Sequence, residues 1–141
     1  MTTITFYRSG GVFYGFEERG HTGYGEEGWD ILCSALSAMT MFLINTVEVA
    51  YASSVDYEID DNTTTIRVRC RAALPEFEAD ELKRYAVSGI FLGYYQICWR
   101  NTGITLMCRL STAPMAAGTQ HGKSAVRSEP ILRFRKQPSP H

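Results

Sequence analysis

The stretch Val55-Asp56-Tyr57-Glu58-Ile59-Asp60-Asp61-Asn62-Thr63-Thr64-Thr65-Ile66-Arg67-Val68-Arg69-Cys70-Arg71 alternates apolar and charged side chains on either side of a polar turn. Val55, Tyr57 and Ile59 face one way and Asp56, Glu58 and Asp60 the other. Beyond the Asp61-Asn62 turn, Ile66, Val68 and Cys70 alternate with Arg67, Arg69 and Arg71. A period of two is the strand period, so the stretch predicts a half-buried β-hairpin. Folding it sets three acids opposite three arginines. An arginine stripe can bind RNA, but cross-strand pairing of opposite charges accounts for this one without a partner.

Working outward, the hairpin is flanked by two helical patterns. Before it, Asp30 is placed to cap a helix running to about Ala50, along which Leu32, Leu36, Met39, Leu43 and Val47 recur at three- and four-residue spacing, with Ala35, Phe42 and Ile44 widening the stripe. A helix this apolar calls for cover on more than one side, from a sheet and a partner subunit. After it, Pro75 opens a second helix, about Glu76 to Trp99, with Leu82, Tyr85, Ala86, Leu92 and Gln96 on or near one face and Gly89 and Gly93 four residues apart. At the N-terminal side, Ile4 and Phe6 pair with Val12 and Phe16 across a Ser9-Gly10-Gly11 turn, the second strand fading into Glu17-Glu18-Arg19-Gly20. Ile104 to Leu110 supplies a last strand. The order ββαββα(β), without internal repeat, predicts an α/β (α+β) fold: a two-layer sandwich of a mainly antiparallel sheet and two helices.

At 141 residues, 45% of them hydrophobic and 21% charged, the chain has the composition of one globular domain. The net charge of −1 supplies no overall attraction to nucleic acid or membrane. It hides an asymmetry: residues 1–111 carry net −5, whereas residues 112–141 carry net +4 and four of the five prolines. The reading is a folded domain over 1–111 and a basic, Pro-rich tail over 112–141, disordered or the product of a frame shift. Cys33, Cys70, Cys98 and Cys108 show no CxxC spacing and no complementary histidines, so neither metal nor other cofactor is expected. No secretory leader and no apolar run of bilayer length is seen, which makes a cytoplasmic protein the expectation.

The chemistry concentrates in Gly20-His21-Thr22-Gly23-Tyr24-Gly25-Glu26-Glu27-Gly28-Trp29-Asp30-Ile31-Leu32-Cys33-Ser34-Ala35-Leu36-Ser37. With Asp30 as cap, Cys33 falls in the first helical turn, where free N–H groups and the helix dipole favour the thiolate. His21 lies on a glycine-rich loop able to fold back over that turn, to take the thiol proton and return it to a leaving amine. The free N–H groups there could also hold an oxyanion. Asp30 and Ser37 share the cysteine's side of the helix. Asp30 either orients His21 or simply caps; Ser37 either bonds substrate or bonds back to the helix. Against this stands the commoner role of a lone helical cysteine as a small core residue.

The run from Gly20 to Ser37 resembles the ribosomal-processing cysteine proteases of bacteria, the Prp family. There a Gly-His loop is followed, twelve residues after the histidine, by Cys in an Asp-Ile-x-Cys-x-Ala-x-Ser helix start, and the resemblance covers roughly residues 2–97. It implies a cysteine endopeptidase that trims the N-terminal extension of a large-subunit ribosomal protein (number twenty-seven) and acts as a homodimer. By resemblance Cys33 is the nucleophile, His21 the general base, and Asp30 and Ser37 supporting residues. Gly23, Tyr24, Gly25 and Gly28 belong to a loop that orders around substrate. Family substrates are cut after an aromatic residue, which calls for an apolar pocket. No direct nucleic-acid or membrane partner is implied.

The chain departs from the family after Ile97. Family members end soon after an acidic or mixed last strand, whereas this one continues through Trp99-Arg100-Asn101-Thr102-Gly103 into Cys108 and then its basic tail. Either the strand is divergent and extended, or the reading frame shifts near Ile97: permissible codons for Trp99 to Arg109 read one frame over encode an acidic ending like the family's. Two other classes of function compete with the protease. One is a catalytically silent, ribosome-associated binding module on the same fold; the other is a thiol redox protein, for which no local partner of Cys33 is visible.

Overall fold

The computed structural model describes residues 1–20, 27–60, 62–103 and 105–115. Strands β1 (Thr2–Ser9) and β2 (Val12–Arg19) form the first hairpin, turning on Gly10 and Gly11, whose φ angles of 56° and 82° belong to the left-handed region that tight hairpin turns require. Tyr7 pairs with Gly15 and Arg8 with Phe13, so Tyr14 is an extra, bulged residue of β2. Helix α1 (Glu27–Asn45) leads through one π-helical turn, Thr46–Ala50, to the second hairpin, β3 (Val55–Asp60) and β4 (Thr65–Cys70). A short 3-10 turn at Arg71–Ala73 precedes α2 (Glu81–Arg100) and β5 (Leu106–Ser111).

The sheet order is β3-β4-β2-β1-β5. All pairings are antiparallel except β1 with β5, so the sheet is mixed but mainly antiparallel, and the α+β expectation holds. Both helices cover one face, where Ile4, Phe6, Phe16, Val68 and Cys70 meet Leu36 and Leu43 of α1, Val47 of the π-helical turn, and Val87, Phe91 and Tyr94 of α2, all buried. Phe6, Phe16 and Tyr94 form its aromatic centre, with Tyr94 edge-on to both phenylalanines at 5.4 and 5.1 Å. The Phe13 N–H donates to Ser88 Oγ at 2.8 Å, tying α2 to the bulged strand.

Four expectations shift. First, α1 begins at Glu27 and not after an Asp30 cap, and its continuation to Ala50 is π-helical. Second, α2 begins at Glu81, because Asp80 is its cap: the Asp80 carboxylate accepts from the Leu82 and Lys83 N–H groups, while Pro75 sits in a preceding turn. Third, the packed face of α2 is Val87, Ser88, Phe91, Tyr94 and Cys98. The face on which the sequence gathers Leu82, Tyr85 and Leu92 is the outer one, with Leu82 at 81% and Tyr85 at 57% exposure. Two apolar stripes run along this helix, and periodicity alone does not say which one the sheet takes.

Fourth, the charged hairpin pairs as expected in outline but not in detail. Asp56 stands opposite Arg69 and Glu58 opposite Arg67, yet Asp60 faces Thr65. Arg71 Nε reaches Asp56 at 2.8 Å, and Arg67 Nε turns to Glu17 of β2 at 2.7 Å. Arg67 and Arg71 are engaged in ion pairs, which supports the charge-pairing explanation for these two over an RNA-binding face. The divergent segment after Ile97 still supplies the edge strand: β5 runs alongside β1 from Leu106 to Ser111, burying Leu106 and Cys108. Met115 then packs against the core, its N–H donating to the Tyr14 hydroxyl at 3.2 Å.

Candidate active site

β2 delivers the chain to the candidate site. Its last residue, Arg19, is followed by Gly20 at φ 81°, where a Cβ would stand 2.6 Å from the Met1 carbonyl oxygen; only glycine takes this exit from the sheet. The candidate base His21 and the loop residues Gly23, Tyr24 and Gly25 lie outside the described residues. Gly28, Asp30 and Cys33 lie on α1. With the helix starting at Glu27, Asp30 closes the first turn and Cys33 stands in the second. The free N–H groups of a helix belong to its first four residues, so the amides at 33 and 34 are inside the helical ladder and are not free to hold an oxyanion. The dipole also falls off beyond the first turn and does little for an anion at position 33.

Position 33 falls on the same row of α1 as Leu36, Thr40 and Leu43, which are buried. Ser37, one turn beyond Cys33, is half-buried. α1 is docked at this turn by polar contacts that the sequence reading did not single out. Glu18 of β2 is 1% exposed and receives a hydrogen bond on Oε1 from the Tyr94 hydroxyl at 2.7 Å and another from the Thr40 hydroxyl at 3.2 Å. The Tyr94 oxygen is also 3.3 Å from the Leu36 carbonyl oxygen. Burial pushes the Glu18 carboxyl up to about 7 against the two hydroxyls that favour its charged form, and it pushes Tyr94 higher still. Glu18 could have been found from alternation alone: Ile4, Phe6 and Phe16 define the apolar face, and Glu18 is two residues beyond Phe16 on it.

The remaining described cysteines are poor nucleophiles. Cys70, Cys98 and Cys108 are buried, and burial raises all three thiols, Cys98 to about 12 and Cys108 to about 11.

The architecture recurs in solved structures. SMU.848 from Streptococcus mutans is 26% identical with a TM-score of 0.64, the match covering 80% of this chain and 99% of that one. The essential ribosomal processing protease Prp from Staphylococcus aureus, in complex with a covalently linked product peptide, is 19% identical with a TM-score of 0.59, over 79% of this chain and all of that one. The same protease with a substrate peptide gives a TM-score of 0.51 at 18% identity, over 80% of this chain and all of that one. No curated protein matches the chain.

A mixed five-stranded sheet with two helices on one face is thus the α+β fold of these proteases. The sequence profile of the family described as Cysteine protease Prp matches residues 1–97, and the chain belongs to that family. It is a hydrolase of the cysteine-protease class. Among the described residues no helix is long and apolar enough to cross a membrane.

Proposed function

We propose that this protein is a cytoplasmic cysteine endopeptidase that removes the N-terminal extension of a bacterial large-subunit ribosomal protein, number twenty-seven, through a Cys33–His21 dyad. The observation that supports the reading is that position 33 lies on α1, twelve residues after His21, within the part of the chain that matches the family. In this reading His21 takes the Cys33 proton and the thiolate attacks the scissile carbonyl. The imidazolium then protonates the leaving amine, and water releases the acyl group from sulfur. Asp30 and Ser37 support the pair, and Gly23, Tyr24, Gly25 and Gly28 belong to the loop that closes on substrate. The reaction as written uses no cofactor. Residues 112–141 form a basic extension beyond the protease domain.

The protein acts as a homodimer in this reading. Phe42, Leu82, Tyr85 and Leu92 are exposed apolar residues on the helices, and a Cβ at Gly89 or Gly93 would meet nothing within 4 Å, so the helix layer offers a broad surface to a second copy. Sedimentation equilibrium of the protein and of Leu92→Glu checks this, with a dimer expected for the first and a monomer for the second.

The test of function is incubation with a peptide spanning the precursor's cleavage site, beside a Cys33→Ala control. Cleavage abolished by that change supports the protease. Binding without cleavage transfers support to a silent ribosome-associated module, and a reversible disulfide at Cys33 would favour redox chemistry.

A further inference from the structure

The contacts of Glu18 do more than fill the core. Its carboxyl joins three elements: β2, which carries it; α1, through the Thr40 hydroxyl; and α2, through Tyr94, whose single hydroxyl proton goes to Glu18 at 2.7 Å and leans on the Leu36 carbonyl of α1 at 3.3 Å. Leu36 lies one turn after Cys33 and Thr40 two, so these contacts fall on the part of α1 that follows the candidate nucleophile.

β1, β4, α1, α2 and β5 surround Glu18. β1 presents Ile4 opposite it and Thr2 one pair along the same face; β4 presents Ile66 opposite it. α1 presents Thr40. α2 presents Tyr94 and Cys98, and Cys108 of β5 lies behind Cys98. None of these described groups is a cation. Glu18 Oε2 is buried with no hydrogen-bond partner among the described residues, and so is the hydroxyl of Thr2. Among the described residues, then, this buried carboxyl has no counter-charge and one oxygen unpaired, a cost to the fold that an apolar side chain of similar size would remove. Its contacts with the part of α1 that follows Cys33 give the cost a use.

Taking Cys33 as the nucleophile, as proposed above, we propose that Glu18 is a positioning residue for it: the carboxyl, through Thr40 and Tyr94, fixes the α1 turn after Cys33 against the strand that leads into the site. The effect is on turnover and not on substrate affinity, because the bridge touches the helix backbone and lies wholly inside the core. Ionisation of Glu18 adds a buried negative charge near the turn that bears the thiolate, so activity carries an inflection that belongs to Glu18.

The experiment compares the wild type with Glu18→Gln, Glu18→Leu and Tyr94→Phe, each checked for folding by thermal melting. Peptide cleavage is followed from about pH 5.5 to 8.5 and resolved into kcat and KM. Glutamine keeps an acceptor for both hydroxyls and cannot ionise, so its kcat near pH 6 is expected within about threefold of the wild type, without the inflection near 7. Leucine packs but cannot accept: kcat falls by about tenfold or more while KM stays within about threefold. Tyr94→Phe lowers kcat by about threefold to tenfold.

A folded Glu18→Leu with wild-type kcat, or a loss confined to KM, overturns the proposal. If the leucine variant does not fold, a Glu18→Gln profile superimposable on the wild type together with full kcat in Tyr94→Phe overturns it equally. A wild type that leaves the peptide intact, with Cys33 alkylated as slowly as an ordinary thiol, sinks the protease reading and this assignment with it. A wild type that cuts while Glu18→Leu cuts as fast sinks only the assignment.

Discussion

Glu17 and Glu18 stand side by side in β2, and the pleat sends them to opposite faces of the sheet. Glu17 is on the outer face, held by Arg67 at 2.7 Å and by Arg19. Glu18 is on the helix-covered face, held by two hydroxyls with no cation among the described groups around it. The same side chain is accommodated by opposite means, pairing on one face and neutralisation on the other. The paired carboxylate stabilises the sheet as an ion; the buried one is tolerated as an acid and becomes a strain once it ionises.

The largest expected effect tests whether the Glu18 face is the true core. Phe16, between Phe6, Phe91 and Tyr94 with ring centroids 5.1 to 6.1 Å away, is fully buried. Phe16→Ala should cost about 3–5 kcal/mol in urea unfolding. A loss under about 1 kcal/mol would mean that the helices do not seal this face as described.

Next comes the pH dependence that belongs to Glu18. The folded pKa of Glu18 is raised from 4.5 to about 7, chiefly by burial. The unfolded chain therefore releases this proton first as pH rises, and the folded state is penalised. The contribution of Glu18 is most favourable below pH 4.5 and is lost as pH climbs to about 7, by something of order 3 kcal/mol in all. The difference in unfolding free energy between wild type and Glu18→Gln should fall across that window. Parallel curves for wild type and Glu18→Gln would show that Glu18 titrates normally and reaches water.

Much of this was legible beforehand, and the exceptions have physical reasons. Strict alternation located β3 and β4, since only a strand places Asp56 and Glu58 against Arg69 and Arg67. The glycine pair located the first turn. The twelve-residue interval from His21 to Cys33 within its motif identified the family. The α2 start was missed because Pro75, a good helix opener, drew attention from Asp80, whose side chain does the capping. Which face of α2 packs is not legible from periodicity, because Leu82, Tyr85 and Leu92 form an outer apolar stripe as regular as the inner one. The β1–β5 pairing was out of reach, since a parallel contact between the second and the 106th residue leaves no local signature. Glu18 was passed over as the fading end of a strand, though alternation already placed it inward.

On the outer face the effects are smaller and graded by exposure. Arg67 has a side chain 20% exposed and meets Glu17, at 8%. Arg67→Ala should cost about 1–2 kcal/mol, because it leaves Arg19 as the only described cation on a largely buried carboxylate. Urea unfolding measures it, and a change below about 0.5 kcal/mol would mean that the pair is as wet as an ordinary surface bridge.

Arg71 and Asp56 form that ordinary bridge, and the contrast with Arg67 isolates burial as the variable. Their separation of 2.8 Å is nearly that of Arg67 and Glu17, yet their side chains are 56% and 47% exposed. At equal distance the Coulomb attraction differs only through the surroundings, and water on both partners screens most of it. The double-mutant coupling of Arg71→Ala with Asp56→Ala should therefore be about 0.5 kcal/mol or less and should fade in high salt. Arg71 also lies 5.6 Å from the Phe77 ring centroid, so part of any loss on Arg71→Ala belongs to that contact and should survive when Asp56 is already alanine. A coupling as large as that of Arg67 with Glu17 would show that distance and not burial sets the strength of these pairs, and the distinction drawn between the two faces of β2 would lose its physical basis.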